Sequence, residues 1–201
     1  FNIEFQILNT AIIIPNFNDH DKLNQLIDSI NEKKNIIVID DGSDNKYKSN
    51  HDGIKILYNK KNRGKGYTLL KGFKYANDNG YIHAITIDAD LQHDPKHIRD
   101  FVDSDGSNDL VLGYRNFSNN MPFHRRFSNL ITSKIISFIT NQTILDSQCG
   151  FRRYRIKKVL DNIYLEMGFQ FESEVIIKLF SSNISFKHIP ISTLYNDEIS
   201  S

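Results

Sequence analysis

The sequence contains a single cysteine, Cys149, and no tryptophan among its 201 residues. One cysteine excludes a framework of disulfide bonds and a zinc site built from cysteines. No run of about 18 apolar residues is present, so no segment is predicted to span a membrane. The 25 Lys+Arg and 24 Asp+Glu leave a net charge of +1, which argues against a nucleic-acid-binding protein that relies on a basic face. The chain begins at Phe1 without the pattern of a signal peptide, and we expect a cytoplasmic protein trimmed at its front.

The most regular feature that is present is an alternation of short apolar runs with longer amphipathic stretches. The apolar runs lie at 11–14, 36–39, 54–57, 84–87 and 109–113. Apolar residues at helical spacing occupy 23–30 and 66–79, and a helix is predicted to begin near Pro95. Strands that are apolar throughout and alternate with helices predict an α/β fold, with a mostly parallel, Rossmann-like sheet covered by helices on both faces.

The alternation fades after residue 115. There the pattern predicts helices at 122–141, 156–163 and 171–182 and a late strand at 186–191. No linker composition separates the two parts, so we expect 1–201 to form a single domain.

Polar or turn-forming residues follow four successive strands of the predicted sheet, at 15–19, 40–43, 59–66 and 88–94. In open α/β sheets ligands bind outside the carboxyl ends of the strands. We therefore expect these four segments to build one shared site.

The sharpest motif is the segment 88–95, Asp-Ala-Asp-Leu-Gln-His-Asp-Pro. The carboxylates of Asp88 and Asp90 are hard oxygen ligands of the kind that Mg²⁺ and Mn²⁺ prefer, and Mg²⁺ commonly completes its shell with substrate phosphate oxygens. The alternative is that both residues cap the following helix. Asp94, directly before Pro95, already fills that cap position, which favours a metal site.

Two further loops carry weaker signals. Asp41, in Asp-Asp-Gly-Ser, could accept hydrogen bonds from a base or a ribose, although an ordinary Asp-Gly turn is the alternative. The segment 62–66, Asn-Arg-Gly-Lys-Gly, places Lys65 and two glycines before a helix, an arrangement that suits a diphosphate. It matches neither the Walker loop nor the dinucleotide fingerprint, and a plain loop is equally compatible with it.

The back half offers a basic segment and an acidic one. Arg115 and His124-Arg125-Arg126 precede an apolar helical stretch, which suggests either an acceptor-phosphate clamp beside a lipid-facing surface or a core-packed helix with a solvated basic end. The segment 169–174, Phe-Gln-Phe-Glu-Ser-Glu, could orient an acceptor or take a proton through Glu172. The alternative is a carboxylate favoured by the helix dipole.

Taken in order, six motifs of this chain resemble family 2 glycosyltransferases of the GT-A fold, and within them the dolichyl- or polyprenyl-phosphate mannose synthase-like branch. The motifs are IIIPNFND, VIDDGS, NRGKGYTLLKG, TIDADLQHDP, DSQCGFRRY and GFQFESE. The resemblance runs from about Thr10 to Asp197. It implies inverting transfer of a sugar from a UDP- or GDP-sugar with Mg²⁺ or Mn²⁺. It also implies a nucleotide-sugar-binding half at 1–115 and an acceptor-side half at 116–201.

The resemblance also implies site residues, position by position. Carried over by motif, Pro15, Phe17 and Asp19 line the nucleotide pocket, Ile39 and Asp41 meet the base, and Asp88 and Ala89 lie against ribose and diphosphate. Asp90 and Gln92 hold the metal, with Asp88 beside them, while Arg115 and Arg125 or Arg126 meet phosphates. The family usually has Tyr and Glu where this chain has Phe17 and Asp19, so one hydroxyl is lost and the carboxylate is shorter.

The acceptor implied by the resemblance is open between a polyprenyl phosphate and a hydroxyl group. A phosphate oxygen is already ionised near neutrality and needs no strong base, whereas a hydroxyl needs a carboxylate, for which Glu172 is the candidate. A lipid acceptor would bring the protein to the inner face of the membrane as a peripheral partner. The competing hypotheses are a nucleotidyltransferase, whose glycine- and lysine-rich loop is missing after the first strand, and a nucleotide-sugar-binding domain without activity.

Overall fold

The computed structural model of the chain describes residues 9–31, 33–115 and 123–193, and for 123–126 the backbone alone. Within these ranges the strands are β1 Thr10–Asn16, β2 Ile36–Asp40, β3 Lys55–Tyr58, β4 His83–Thr86, β5 Leu110–Arg115, β6 Arg152–Arg155 and β7 Phe186–Ile191. The α-helices are α1 His20–Ser29, α2 Lys65–Asp78, α3 Ile98–Val102, α4 Phe123–Thr140, α5 Ile156–Leu160 and α6 Phe171–Phe180. A 3₁₀ turn at Pro95–His97 leads into α3.

All the strands of the described residues belong to one sheet, in the order β3-β2-β1-β4-β6-β5-β7. Neighbours β3, β2, β1 and β4 are parallel, as are β5 and β7. The predicted α/β fold with a mostly parallel sheet is therefore confirmed. Sequence patterning located β1, β2 and β4 within about two residues because these strands are buried along most of their length and read as continuous apolar runs.

Helices cover both faces of the sheet, and alternate residues of each strand supply the two cores. Ile13 and Ile39 face a core shared with α2, α5 and α6, where Phe73 and Val175 are also buried. Ile14, on the opposite face of β1, packs in a second core with side chains of α1 and α3. This two-fold alternation follows from the opposite orientation of successive side chains on a strand.

Strand β6 is the element that the sequence pattern did not predict. It lies antiparallel between β4 and β5, and its sequence, Arg-Arg-Tyr-Arg, has no apolar pattern. Arg152 and Arg153 are nevertheless almost fully buried. Their guanidinium groups donate hydrogen bonds to main-chain carbonyl oxygens. Arg152 donates to those of Ser147, Cys149 and Glu172. Arg153 donates to those of residues 101, 104 and 105. A buried guanidinium is tolerated when its donors are satisfied in this way, as all three nitrogens of Arg152 are; in Arg153 the two terminal nitrogens are satisfied and Nε is not.

The sheet draws its strands from both predicted halves of the chain, since β6 lies between β4 and β5. The extent of the domain, 1–201, and its division at 115 stay predictions. Among the helices of the described ranges, none is long and apolar enough to cross a membrane.

His83, at the start of β4, gives the fold a predicted dependence on pH. Burial and the nearby charges of Arg153 and Arg155 lower the pKa of His83 to about 4 from its ordinary 6.5. His83 is therefore protonated near pH 6.5 in the unfolded chain but only near pH 4 in the folded chain. Because the unfolded state binds this proton more readily, the free energy of unfolding should decrease as the pH falls from 6.5 to 4.

Between pH 7.5 and pH 5 the free energy of unfolding should fall by about 2 kcal/mol less in His83→Gln than in the wild type. Urea denaturation of the two proteins at both pH values measures this difference. His93 and His188, whose pKa values burial also lowers, remain in both proteins and cancel in the comparison. Equal pH dependence in the two proteins would show that His83 is not the group responsible.

Candidate active site

A cavity of about 440 Å³ lies at the carboxyl ends of β1, β2 and β4, where the sequence predicted a shared site. Its size is within the range of small-molecule sites. It is lined by Pro15, Asn16, Phe17, Asp19, Asp41, Asn62, Gly64, Lys65, Thr68, Asp88, Ala89, Asp90 and Phe169. A second cavity, of about 390 Å³, lies at the amino ends of β2 and β3 and has no carboxylate in its lining. The first cavity is therefore the one with the chemistry of the sequence motifs.

The turn after β4 presents Asp90 to this cavity. The Asp90 Oδ1 atom accepts a hydrogen bond from the backbone N–H of Gln92 at 3.0 Å, which fixes the orientation of the carboxylate. Leu91 between them has a φ of 61°, a left-handed conformation that a bulky residue rarely adopts. Strained backbone of this kind tends to occur at functional sites. Asp94 caps the next turn through the N–H of Lys96, as predicted, so capping does not account for Asp88 or Asp90.

Lys65 joins two acidic residues from distant parts of the chain. Its Nζ lies 2.7 Å from Asp88 Oδ1 and 3.0 Å from Glu172 Oε2. Burial alone would raise the pKa of Asp88, but the Lys65 ammonium outweighs burial and holds that pKa below its ordinary value. Burial would likewise lower the pKa of Lys65, and the two carboxylates raise it instead. Lys65 is thus a charged, fixed cation at the floor of the site.

Glu172 occupies the first turn of α6, behind Lys65, and does not itself line the cavity. Its Oε1 atom is buried without a hydrogen-bond partner. A Cβ atom added at Gly150 would lie 2.6 Å from Asp88 Oδ2 and 3.0 Å from Glu172 Oε1. Only glycine therefore lets the 147–151 loop pack directly against this ion-pair cluster.

Asp41 holds the 59–64 loop beside it through direct hydrogen bonds. Its Oδ1 accepts hydrogen bonds from the Asn59 side chain at 2.7 Å and the Arg63 N–H at 2.9 Å, and its Oδ2 accepts the Gly64 N–H at 2.9 Å. Next to it, Gly42 has a φ of 77°, and a Cβ there would clash with the backbone of Lys61. The Asp-Gly pair is a docking point for the 59–64 loop, which the sequence pattern did not reveal. A carboxylate offers about four lone-pair sites, so Asp41 retains room for about one more donor.

The segment 62–66 does not present its backbone as the phosphate cradle suggested by the sequence. The N–H groups of Gly66 and Tyr67 both donate to the Met167 carbonyl oxygen, at 2.8 and 3.3 Å, and that of Gly64 donates to Asp41. A Cβ at Gly66 would overlap Phe171. The glycines therefore allow the loop before α6 to pack against the start of α2, and this part of the interpretation is corrected. Lys65 alone brings positive charge from this motif to the cavity.

The wall formed by the end of β1 combines an aromatic ring with an unusual amide. Phe17 is 46% exposed, and Phe169 lies elsewhere along the lining. Asn16 is almost fully buried, yet neither polar atom of its side chain has a hydrogen-bond partner. Buried amides are nearly always paired, so a ligand in the cavity is a natural source of the missing hydrogen bonds. Asp19, at the rim, forms an ion pair with Lys22 at 2.9 Å.

Charge around the cavity is strongly unbalanced. Among its described lining residues, Asp19, Asp41, Asp88 and Asp90 contribute four carboxylates, and Lys65 is the single lysine or arginine. A nucleoside diphosphate would meet repulsion here unless a cation entered with it. No three His, Cys, Asp or Glu side chains of the described residues are grouped to hold a metal by themselves. A Mg²⁺-type site with one or two carboxylates and substrate oxygens needs no such group, so the donor set fits a divalent cation.

Besides Glu172, four predicted site residues lie outside the lining of this cavity or outside the described side chains. Ile39 is completely buried in the core and is absent from the lining, and its contact with a base stays a prediction. Gln92 is partly exposed and absent from the lining. Arg115, at the end of β5, forms a two-point ion pair with Asp146, at 2.7 Å from Nε to Oδ2 and 3.0 Å from Nη2 to Oδ1. The side chain of Arg126 lies outside the described residues.

Sequence reasoning missed several residues that the fold brings to the site. Asn16, Thr68 and Phe169 line the cavity, and Asp146 orients Arg115. Phe169 stood within a motif of the resemblance, and its apolar ring in a polar segment was an available signal. Asp146 also stood within a motif of the resemblance, DSQCGFRRY, but its pairing with Arg115, 31 residues away, had no local signal.

With this geometry in place, comparison with known proteins identifies the family. The model of the family described as "Glycosyl transferase family 2" matches residues 11–163. The chain belongs to glycosyl transferase family 2 and is a glycosyltransferase. This confirms the resemblance found in the sequence and disfavours nucleotidyl transfer.

Relatives named as sugar transferases and one uncharacterized protein are similar to this chain over most of its length. The chain is 29% identical over 200 residues to an uncharacterized protein of Methanocaldococcus jannaschii, with 92% of this chain and 82% of that protein covered. It is 27% identical over 215 residues to the UDP-N-acetylglucosamine–dolichyl-phosphate N-acetylglucosaminyltransferase of Methanococcus voltae, covering 92% and 86%. The undecaprenyl-phosphate 4-deoxy-4-formamido-L-arabinose transferase of Edwardsiella ictaluri is 28% identical, covering 72% of this chain and 48% of that protein.

Among solved structures, the fold is similar to that of glucosyl-3-phosphoglycerate synthase from Mycobacterium tuberculosis. Its complex with Mn²⁺, UDP and phosphoglyceric acid superposes with a TM-score of 0.72 at 16% identity, covering 98% of this chain and 74% of that chain. The complex with Mg²⁺ and UDP gives a TM-score of 0.71 at 15% identity, covering 98% and 76%. This likeness confirms the GT-A fold.

Proposed function

We propose that this protein transfers a sugar, with inversion, from a nucleoside diphosphate donor to a polyprenyl phosphate, using Mg²⁺ or Mn²⁺. The observation that carries the proposal is the cavity at the carboxyl ends of β1, β2 and β4, with its four carboxylates and one fixed lysine. Relatives named as dolichyl-phosphate and undecaprenyl-phosphate sugar transferases support the lipid phosphate acceptor. UDP in the complexes of a similar fold makes a UDP-sugar the first donor to test, with GDP-sugars as the alternative.

The donor would lie along the cavity from β1 to β4. Phe17 offers an exposed aromatic ring for a nucleobase, and the unsatisfied Asn16 amide offers both a donor and an acceptor. Asp41 would add at most about one hydrogen bond to the nucleoside, since three of its acceptor sites hold the 59–64 loop. Pro15 and Ala89 supply apolar walls between these polar groups.

The cation would be held chiefly by Asp90, which faces the cavity on a strained turn. Asp88 would contribute less, because Lys65 already contacts both of its oxygens. When bound, a divalent ion neutralises the charge that develops on the leaving diphosphate. Lys65 remains fixed beside it through Asp88 and Glu172 and presents a second positive charge without reorganisation.

Inversion requires the acceptor oxygen to approach the anomeric carbon from the face opposite the diphosphate. A lipid phosphate is largely ionised near pH 7, because its second pKa is about 6, so its attack releases no proton that a base must accept. Glu172 then serves to hold Lys65 and is not required as a base, in keeping with its position behind Lys65. Arg115, oriented by Asp146, is the candidate partner for the acceptor phosphate. This acceptor places the protein at the cytoplasmic face of the membrane as a peripheral enzyme.

Two measurements test the function. Titration calorimetry with UDP and GDP should detect nucleotide binding that requires Mn²⁺ or Mg²⁺ and disappears with a chelator. Donor hydrolysis across a panel of UDP- and GDP-sugars, followed by transfer to undecaprenyl or dolichyl phosphate, should identify donor and acceptor. Failure to bind any nucleoside diphosphate, with or without metal, would overturn the proposal.

A further inference from the structure

Helix α4 exposes an apolar surface where a helix of a globular protein normally exposes polar residues. Two adjacent rows of its side chains point outward, and within each row the residues are four apart in the sequence. Phe138, in one of these rows, is 89% exposed. We call this surface the outer face of α4; its members are Leu130, Ile131, Lys134, Ile135, Phe138 and Ile139. Scattered apolar residues on a surface are ordinary, but a contiguous patch indicates something that covers it.

The inner face of the same helix carries polar residues that are buried. Asn129 and Ser133 are 1% and 4% exposed. The Asn129 amide donates to Asp146 Oδ1 at 2.8 Å, and Ser133 Oγ accepts the N–H of Ser147 at 2.9 Å. Turning the helix to bury its apolar rows would break these hydrogen bonds and leave Asp146 with Arg115 but without the Asn129 amide. The inner face of α4 therefore combines the core residue Ile136 with buried polar residues, and the hydrogen bonds of those polar residues hold the apolar rows outward.

The charge of the surrounding sequence indicates what covers the outer face. Helix α4 itself, Phe123–Thr140, contains three Lys or Arg and no Asp or Glu, a net charge of 3 − 0 = +3 in a chain whose total is +1. Lys134 lies within the apolar rows and is exposed. A long basic side chain among apolar ones can bury its stem and reach phosphate head groups with its ammonium. Anionic lipid surfaces attract such combinations of apolar and basic residues.

We propose that the outer face of α4 docks on an anionic lipid bilayer. A second copy of the chain is less suitable, because a two-fold contact would bury Lys134 against another apolar and basic face without an acid to pair it. The inference rests on the proposed function in one respect: a polyprenyl phosphate acceptor is found in the bilayer. Asp146 accepts hydrogen bonds both from Asn129 of α4 and from Arg115, and so connects the docking helix to a candidate phosphate-binding side chain.

The test uses the whole chain and sedimentation with vesicles of phosphatidylcholine, with and without phosphatidylglycerol. We expect binding to the anionic vesicles that weakens as salt is added. The affinity of the double variant Ile135→Gln/Phe138→Gln for these vesicles should be lower than that of the wild type by a factor of about ten or more. The variant Lys134→Glu should bind more weakly than the wild type at low salt, where charge attraction is not screened. Glutamine is a good helix former and both positions are exposed, so circular dichroism should show an unchanged fold.

Matched controls are Ile163→Gln, at an 83% exposed position outside α4, and Lys74→Glu, at an exposed position of α2. Both should bind vesicles like the wild type. Equal binding by the double variant, or absence of binding by the wild type, would overturn the inference. A change in self-association of the double variant in sedimentation velocity, with vesicle binding unaltered, would assign the face to a second copy and overturn it too.

Transfer to a short-chain, water-soluble prenyl phosphate separates this inference from the proposed function. The double variant should transfer sugar to that acceptor at the wild-type rate while losing vesicle binding. A wild-type protein that transfers sugar but does not bind vesicles would contradict the docking surface alone. A protein that binds vesicles through α4 but transfers no sugar would contradict the proposed function alone.

Discussion

Replacing Asp90 with asparagine should reduce sugar transfer by about 10²–10⁴-fold, because loss of the carboxylate removes the main protein ligand proposed for the cation, and such ions supply several kcal/mol of charge stabilisation. The fold should be unaffected. Asparagine retains the Oδ1 atom that accepts the Gln92 N–H, so the turn after β4 keeps its hydrogen bond. We expect the free energy of unfolding to change by about 0.5 kcal/mol or less.

The measurements for Asp90→Asn are transfer rate, Mn²⁺-dependent UDP binding by calorimetry, and urea denaturation. Asp94→Asn is the matched control, since Asp94 belongs to the same motif but caps the Pro95 turn, and asparagine caps equally well. It should retain wild-type activity. If Asp90→Asn kept both its activity and its metal-dependent UDP binding, Asp90 would not be the metal ligand.

Replacing Lys65 with methionine should destabilise the protein by about 3 kcal/mol at pH 7.5, because the buried Glu172 and the partly buried Asp88 lose the one cation that they share. Methionine preserves the volume of the aliphatic stem, so lost packing contributes little. The same variant should also lose activity, because Lys65 is the single basic side chain in the described lining of the cavity.

The effect of Lys65→Met should depend on pH in a defined direction. In the wild type the pKa of Asp88 is held below 3.8, so the stability that this ionised carboxylate contributes is complete above about pH 5 and lost only as the pH falls through its lowered pKa. Without Lys65, burial is the dominant influence on Asp88 and favours its protonated form. The stability deficit of the variant should therefore shrink between pH 7.5 and pH 5.

Urea denaturation at pH 7.5, 6 and 5 checks this prediction. Lys74→Met, at an exposed position of the same helix, is the control and should cost about 0.5 kcal/mol or less. Adding Glu172→Gln to Lys65→Met should recover part of the lost stability, since one of the two unpaired charges disappears. A small or pH-independent deficit would show that the Lys65 ion pairs do not stabilise the fold.

The parts of the fold that could be predicted are those whose signal is local. Strands β1, β2 and β4 are buried for most of their length, so their apolar runs stand out in the sequence. Strand β6 was missed because the buried side chains at its start are arginines, whose guanidinium groups find carbonyl partners that no local pattern specifies. The helices α4 and α6 were predicted within about two residues from helical spacing alone.

The candidate site divides in the same way. The sequence by itself determined that carboxylates follow the central strands, because parallel strands end at one edge of a sheet whatever their loops do. Only the tertiary structure decided which carboxylates are free to bind a ligand. Asp88 is already ion-paired with Lys65, 23 residues earlier in the chain, and Glu172, 107 residues after Lys65, pairs with the same ammonium. Asp41 is likewise occupied by backbone N–H groups of a distant loop.

For helix α4 the sequence predicted the position of the helix but not which of its faces is buried. Its apolar spacing, read from the sequence, is equally compatible with a face packed in the core and a face turned outward. The choice follows from Asp146, whose buried carboxylate needs the Asn129 amide and Arg115 as partners and so holds the polar side of the helix inward. Strand and helix positions are properties of neighbouring residues, whereas the pairing of buried charges is decided only when distant segments meet.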